Sequence, residues 1–174
     1  MLLTFGAIEF GIGFSQKGGI ESVSRAGART GATLAVDGTV DVAVGETANN
    51  SIGVETVRAV NAALKSTSLP EMNRVVVYRI EGATGTDFGP VTWGGACNSY
   101  CMAFTFDTGA KVFKLTQAAG GNWPIADRKA CGTKPDRIGV LIEGKFNFLT
   151  NLVGNGNIKI KGRSVLQLEP TADC

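Results

Sequence analysis

At 174 residues with an apolar fraction of 44%, the chain has room for one compact domain plus an extension. Formal net charge is +2 with lysine and arginine scattered, so there is no basic stripe of the kind that neutralises a row of phosphates, and no nucleic-acid partner is expected. Histidine is absent, which removes the commonest general base, proton shuttle and zinc ligand and contracts the space of enzymes sharply.

Glycine is abundant at 24 residues and proline scarce at 5, a balance that predicts many tight turns between short strands. Four cysteines, Cys97, Cys101, Cys131 and Cys174, all lie in the C-terminal half. Their even number behind an apolar start predicts disulfides in an oxidising compartment, and their spacing fits a zinc site poorly. Four cysteines allow three pairings, and the spacing does not choose among them.

The opening stretch MLLTFGAIEFGIGF is apolar apart from Glu9. It is shorter than the about 20 residues a helix needs to cross a bilayer and carries no basic flank. It therefore reads as the later part of a membrane helix, against the simpler reading of a buried N-terminal core helix. Glu9 within it requires a partner or a place near the interface. From Gly19 to Leu34 small residues dominate, with Gly27 and Gly31 in GxxxG spacing and Ala28 and Ala32 one step on, a face that permits close helix approach. Arg25 and Arg29 form a basic pair one turn apart. One continuous helix is predicted, whether it leaves the membrane or packs on its own domain.

After a polar connection, Ile52, Val57, Val60 and Leu64 share one face of a second helix that ends at Ser66 to Pro70. The β-branched run from Val75 to Glu81 predicts a strand, central because Val75 to Tyr78 shows no polar alternation. A loop rich in glycine, threonine and proline spans Ala83 to Ala96. The alternating CMAFTFDTG predicts a strand from Cys101 with a turn at Asp107 to Gly109, and Lys111 to Leu115 as its hairpin partner. Pro124 starts a short helix. Ile138 to Phe146 and Ile158 to Leu168 read as a strand and its return, joined by a connection whose Phe148, Leu149, Leu152 and Val153 plug the core. The fold class is α+β, helices first and then an antiparallel sheet.

Catalytic signatures are missing: no GxSxG, Walker or Rossmann fingerprint occurs, and GGACNSYC is not a redox CxxC. Asp87, Asp107, Asp127 and Asp136 sit beside turns or strand starts and read as solvated turn residues. Asp37 and Asp41 around Gly38 offer oxygens of the kind calcium takes but lack the longer spaced set of a calcium loop. No catalytic residue, metal or cofactor is expected. Phe88, Trp93, Tyr100 and Trp123 lie in loops, where aromatic residues either anchor a ligand or cap the sheet.

The block FGAIEFGIGFSQKGGIESVSRAGARTGATLA resembles the N-terminal segment of TadE-like pilus-assembly proteins, in which an apolar helix runs through an I-E-F-G step into an R-A-G-A-R helix. Ile8, Glu9, Phe10, Gly11, Arg25, Ala26, Gly27, Ala28 and Arg29 carry the resemblance. The tail from Pro135 to Pro170 is similar to the strand, F-L-T-x-L loop and strand of exported actinobacterial members. The family's peptidase motif is missing, since Glu9 falls three residues after Gly6, and the middle of the chain is not covered.

The resemblance implies a minor pilin or pseudopilin of a tight-adherence (type IVc) system. Residues 1–35 would form a membrane-anchoring and assembly helix, partly transmembrane and starting upstream of Met1, and residues 36–174 an extracytoplasmic, disulfide-braced, pilin-like domain. Its partners would be other pilin subunits, the assembly platform and the membrane, within an oligomer. Glu9, Gly11, Gly19, Arg25, Gly27, Ala28 and Gly31 would pack against neighbouring subunits. The alternative from the residues is a membrane-tethered binding module that recognises a surface ligand through Trp93, Tyr100 and Trp123.

Overall fold

A computed structural model describes residues 2–34, 51–65, 71–82, 85–116, 119–121, 123–148 and 157–170. The expectations about Asp37 and Asp41, the helix stop at Ser66 to Pro70, the apolar turn at Leu149, Leu152 and Val153, and Cys174 lie outside these residues.

Helix α1 (Leu2–Leu34) is a single 33-residue helix, about 50 Å long at 1.5 Å per residue. It is followed by α2 (Ser51–Leu64) and six strands: β1 (Glu71–Ile80), β2 (Cys101–Asp107), β3 (Val112–Phe113), β4 (Ala119–Gly120), β5 (Arg137–Asn147) and β6 (Asn157–Gln167). The sheet is antiparallel in the order β3-β2-β1-β5-β6, with β4 paired to β2. The α+β class, the second helix with Ile52, Val57, Val60 and Leu64 inward, the central place of β1 and the β5–β6 return all agree with the sequence reading.

Both helices pack on one face of the sheet. Val75 and Val77 of β1, Met102 and Phe104 of β2, and Ile138, Val140 and Ile142 of β5 form one core with Ile20, Val23 and Ala28 of α1 and Val57 and Val60 of α2. The intervening residues Val76, Tyr78, Ile80, Ala103 and Leu141 form a second cluster on the opposite face, as period-two alternation dictates. Asn61 clamps α2 to β3, since its Nδ2 donates to Phe113 O at 2.9 Å and its Oδ1 accepts the Phe113 N–H at 2.7 Å.

β1 starts four residues earlier than its apolar run. Between Met72 and Arg74 its register against β5 shifts, so that Met72 opposes Gly144 and Arg74 opposes Glu143. The extra residue, Asn73, turns Met72 onto the helix face and keeps Arg74 on the other, as a β-bulge does. A bulge hides the alternation that would otherwise reveal a strand.

The small-residue face of α1 is consumed inside the body. A Cβ on Gly27 would fall 2.5 Å from Val60 Cγ2, and one on Gly31 would fall 2.4 Å from Ile138 Cδ1 and 2.5 Å from Thr56 Oγ1. Ala28 is fully buried. From β6, Gly162 admits the helix backbone: a Cβ there would sit 2.8 Å from the carbonyl carbon of Ile20. Ser24 exchanges a hydrogen bond with Ser164 at 3.0 Å. Gly27, Ala28 and Gly31 are thus buried within the chain, where the two glycines let α1 approach α2 and the sheet.

The partly transmembrane character of α1 needs correction. No helix among the described residues is long and apolar enough to cross a membrane. The reason is compositional: Glu9, Lys17, Glu21, Arg25 and Arg29 recur along α1.

Candidate functional site

The helix stripe that faces the sheet runs back from Gly31 through Gly27, Val23 and Ile20, and its continuation by whole turns reaches Gly13 and Glu9. Glu9 is 3% exposed. It lines a groove of about 400 Å³ between α1 and the near ends of β5 and β6, with Phe10, Gly13, Phe14, Phe146, Phe148 and Ile158 among its walls and lysines 17, 159 and 161 at its edges. Phe5, Ile8, Phe10 and Phe14 are exposed around it, Phe10 to 67% and Phe14 to 71%, and the last two also edge the groove. This end of α1 thus buries a carboxylate while large apolar side chains around it stay exposed. Contiguous exposed apolar surface of this kind marks an interaction site.

The other assembly residues are dispersed. Gly11 is exposed, and a Cβ added to it would meet nothing within 4 Å; Gly19 is half-buried, and Arg25 is exposed, as is Arg29. Glu9 is covered within its own chain. Exposed large apolar side chains on α1 are confined, among the described residues, to its first turns.

The loop aromatics separate into different roles. Trp123 is fully buried in the helix-side core, so it is not a ligand contact; it fills the space beside Ala130 and Leu168, and Arg128 covers its carbonyl with Nε at 3.2 Å and Nη2 at 2.7 Å. Burial lowers the Arg128 guanidinium to about 10, still charged at neutral pH. Tyr100 is half-buried at a positive φ of 48°, its ring edge-to-face with Phe88 at 5.1 Å and its hydroxyl donating to Asp127 at 3.3 Å. Trp93 is half-buried, with Lys159 Nζ 5.7 Å from its ring centroid. Pro124 precedes a short 3-10 turn, Ile125–Asp127.

Cys97 and Cys101 form a disulfide with their Cα atoms 5.3 Å apart, tying the loop to the first residue of β2. Cys131 is also disulfide-bonded.

Two of the aspartates hold turns, Asp87 accepting the Gly89 N–H at 2.8 Å and Asp107 those of Gly109 and Ala110 at 2.9 and 3.0 Å, while Asp127 accepts the Tyr100 hydroxyl. The backbone N–H groups of Ala110 and Gly109 hold the Asp107 carboxyl below its ordinary range. Asp136 is no solvated turn residue. It is fully buried and anchors Arg79, whose Nη2 donates to Oδ1 at 3.2 Å and whose Nε lies 3.0 Å from Oδ2 off the hydrogen-bonding angle. The backbone N–H groups of Gly82 and Lys129 complete its shell at 3.3 and 3.0 Å.

Sequence reasoning also missed Glu143, a fully buried carboxylate on the far face of β5. Arg74 Nε donates to it at 2.8 Å and Gly94 N–H at 3.1 Å, with Lys161 Nζ at 4.0 Å. Its place two residues beyond Leu141 on a strand was the available signal, because the alternation put it on a covered face.

On the same face the Tyr78 ring lies across Gly139 of β5, where a Cβ would fall 2.2 Å from Cζ, and beneath Gly89, where a Cβ would fall 2.6 Å from Cε2. Its hydroxyl receives Arg163 Nε, and Arg163 Nη2 also binds Asp87. Burial pushes the Tyr78 phenol up to about 12. An unfolded phenol ionises near pH ~10, so the folded state holds the proton longer and its contribution is intact below about pH 10. It is lost as pH rises from about 10 to about 12, a loss of about 2 to 3 kcal/mol from the two-unit difference. Tyr78→Phe should remove this part of the alkaline loss, read by comparing urea unfolding of the two proteins at neutral pH and near pH ~11.5. Equal alkaline losses would show that Tyr78 is not the group responsible.

The fold defines an α+β class of domain, two helices on one face of an antiparallel sheet with one helix overhanging. No protein-family model, curated protein or solved structure matches the chain.

Proposed function

We propose that this protein is a structural subunit of the TadE-like pseudopilin kind, which adds the overhanging end of α1 to helix packing with other pilin-type subunits in or at the membrane. The observation that carries the reading is the exposure of four large apolar side chains, Phe5, Ile8, Phe10 and Phe14, in the first turns of α1 around the buried Glu9. Exposed apolar residues at this density suit contact with a neighbouring helix or a lipid boundary, while the second half of α1 is locked into the body. The Cys97–Cys101 disulfide fits an extracytoplasmic body. In this reading the protein is not an enzyme, and its partners are pilin subunits and the tight-adherence assembly platform.

Exchange of Phe10 and Phe14 for serine tests it in native cells. Neither ring belongs to the buried core, so the body should fold and retain its unfolding midpoint, while recovery in membrane and sheared-pilus fractions drops at least about tenfold. That drop corresponds to roughly 1.4 kcal/mol of lost association, less than the burial of two aromatic side chains supplies. Unchanged recovery in both fractions sinks the proposal.

A further inference from the structure

The face of the sheet opposite the helices carries a cavity of about 320 Å³, lined by Tyr78, Asp87, Pro90, Val91, Leu141, Lys161 and Arg163 together with Gly89. We infer that this cavity is a binding site for a small amphipathic anion, with a carboxylate or phosphate headgroup at Lys161 and Arg163 and an apolar body against Leu141 and Val91.

The site is built into the sheet and does not depend on a chance lie of the loop. Tyr78 and Gly139 are direct partners in the β1–β5 register, and Gly139 lets the Tyr78 ring cross β5 to reach Arg163 on β6. A glycine inside a strand weakens it and marks a place where another group must approach closely. Asp87 is fixed from its own side by the Gly89 N–H at 2.8 Å and by the bridge of its backbone to Ile80. Arg163 is therefore held between a buried phenol and an anchored carboxylate, with part of its fork of donors uncommitted by these contacts.

Charge decides the class of ligand. On this face Arg163 pairs with Asp87 and Arg74 with Glu143. Lys161 stands 4.0 Å from Glu143, a carboxylate that Arg74 and the Gly94 N–H already engage at 2.8 and 3.1 Å. Lys159, two residues along β6 and on the same face, lies over Trp93. The balance beside the cavity is positive. Its remaining walls are apolar, with Val91 94% exposed at the mouth and Leu141 buried at the floor. The volume suits a ligand of small-molecule size.

Phenyl phosphate and benzoate titrated into the full-length protein, with benzyl alcohol as the neutral counterpart, test this by calorimetry and by the amide shifts of Val91 and Leu141. Saturable binding of at least one anion with shifts at those residues is expected, and whichever anion binds identifies the headgroup. Lys161→Gln leaves the Tyr78–Arg163–Asp87 set in place and should weaken binding by about tenfold, the loss of one favourable charge contact at roughly 1.4 kcal/mol. Three results overturn the inference: no saturable binding of either anion, equal binding of benzyl alcohol, or shifts confined to the α1 overhang. Binding by a folded Phe10 and Phe14 double variant separates this site from the assembly role of α1.

Discussion

Replacing Gly31 by leucine is expected to unfold the body, with a loss above about 4 kcal/mol against a net stability of roughly 5 to 15 kcal/mol for a domain of ordinary size. Even the first carbon of the new side chain falls 2.4 Å from Ile138 Cδ1 and 2.5 Å from Thr56 Oγ1, and three further carbons have nowhere to go in a close-packed interior. Gly31→Ala pits two terms against each other. Helix propensity favours alanine by about 1 kcal/mol, whereas overpacking opposes it by about 1 to 3 kcal/mol, so a net loss of up to about 2 kcal/mol is expected. Gly11→Ala supplies the contrast, because nothing lies within 4 Å of its added carbon. There the propensity acts alone and the helix gains up to about 1 kcal/mol. Urea unfolding followed by circular dichroism reads all three. A folded Gly31→Leu protein of unchanged midpoint would mean that α1 does not pack on α2 and β5 as described.

The second large effect belongs to Asp136. Its removal in Asp136→Ala leaves the Arg79 guanidinium, 5% exposed, with Glu81 at 3.8 Å as its remaining carboxylate contact. Breaking a buried pair in this way costs about 3 to 5 kcal/mol. Two backbone donors, Gly82 and Lys129, lose their acceptor in the same step. Asp136→Asn should lose less, since an amide oxygen still accepts from one of these donors while only the charge disappears. The difference between the two variants separates charge from hydrogen bonding. Equal midpoints for Asp136→Ala and the parent protein would refute the role of this pair in holding the loops at the end of the sheet.

These two sites also mark where the sequence was legible and where it was not. The close-packing character of Gly27, Ala28 and Gly31 was readable from spacing, because small residues on one helical face have few other uses. Which surface they meet was not readable: the partner is Thr56 and Val60 on α2 and Ile138 on β5, distant in the chain. Asp107 and Asp136 look alike as residues next to turns, yet one holds an exposed hairpin and the other is sealed beneath two loops. The strands β1 and β5 were legible from their β-branched apolar stretches, and β6 from the alternation of Ile158 and Ile160 with lysines. The bulge at Asn73 and the two-residue β4 carry no comparable pattern, and the placing of Trp123 in the core depends on tertiary packing that a glycine-rich loop conceals.

The burial of Glu9 at the start of α1 has the same origin. Residue types alone made Glu9 the odd member of an apolar segment, to be neutralised by a neighbour. The phase of the helix, set by Ile20, Val23 and Gly27 against the sheet, turns Glu9 inward, while Phe5, Ile8, Phe10 and Phe14 around it stay exposed. The exposed rings in the first turns of α1 are therefore the surface proposed to meet a partner, while Gly27 and Gly31 are packed within the chain.

That surface gives the most direct test of the structural role. With Phe14 replaced by the photoreactive p-benzoylphenylalanine, irradiation of intact cells followed by mass spectrometry identifies what the overhang touches. The account expects adducts with the N-terminal helix of another pilin-type subunit, recovered in the membrane or sheared-pilus fraction. Adducts confined to the protein's own body, or a chain recovered wholly in the soluble fraction without any adduct, would contradict it.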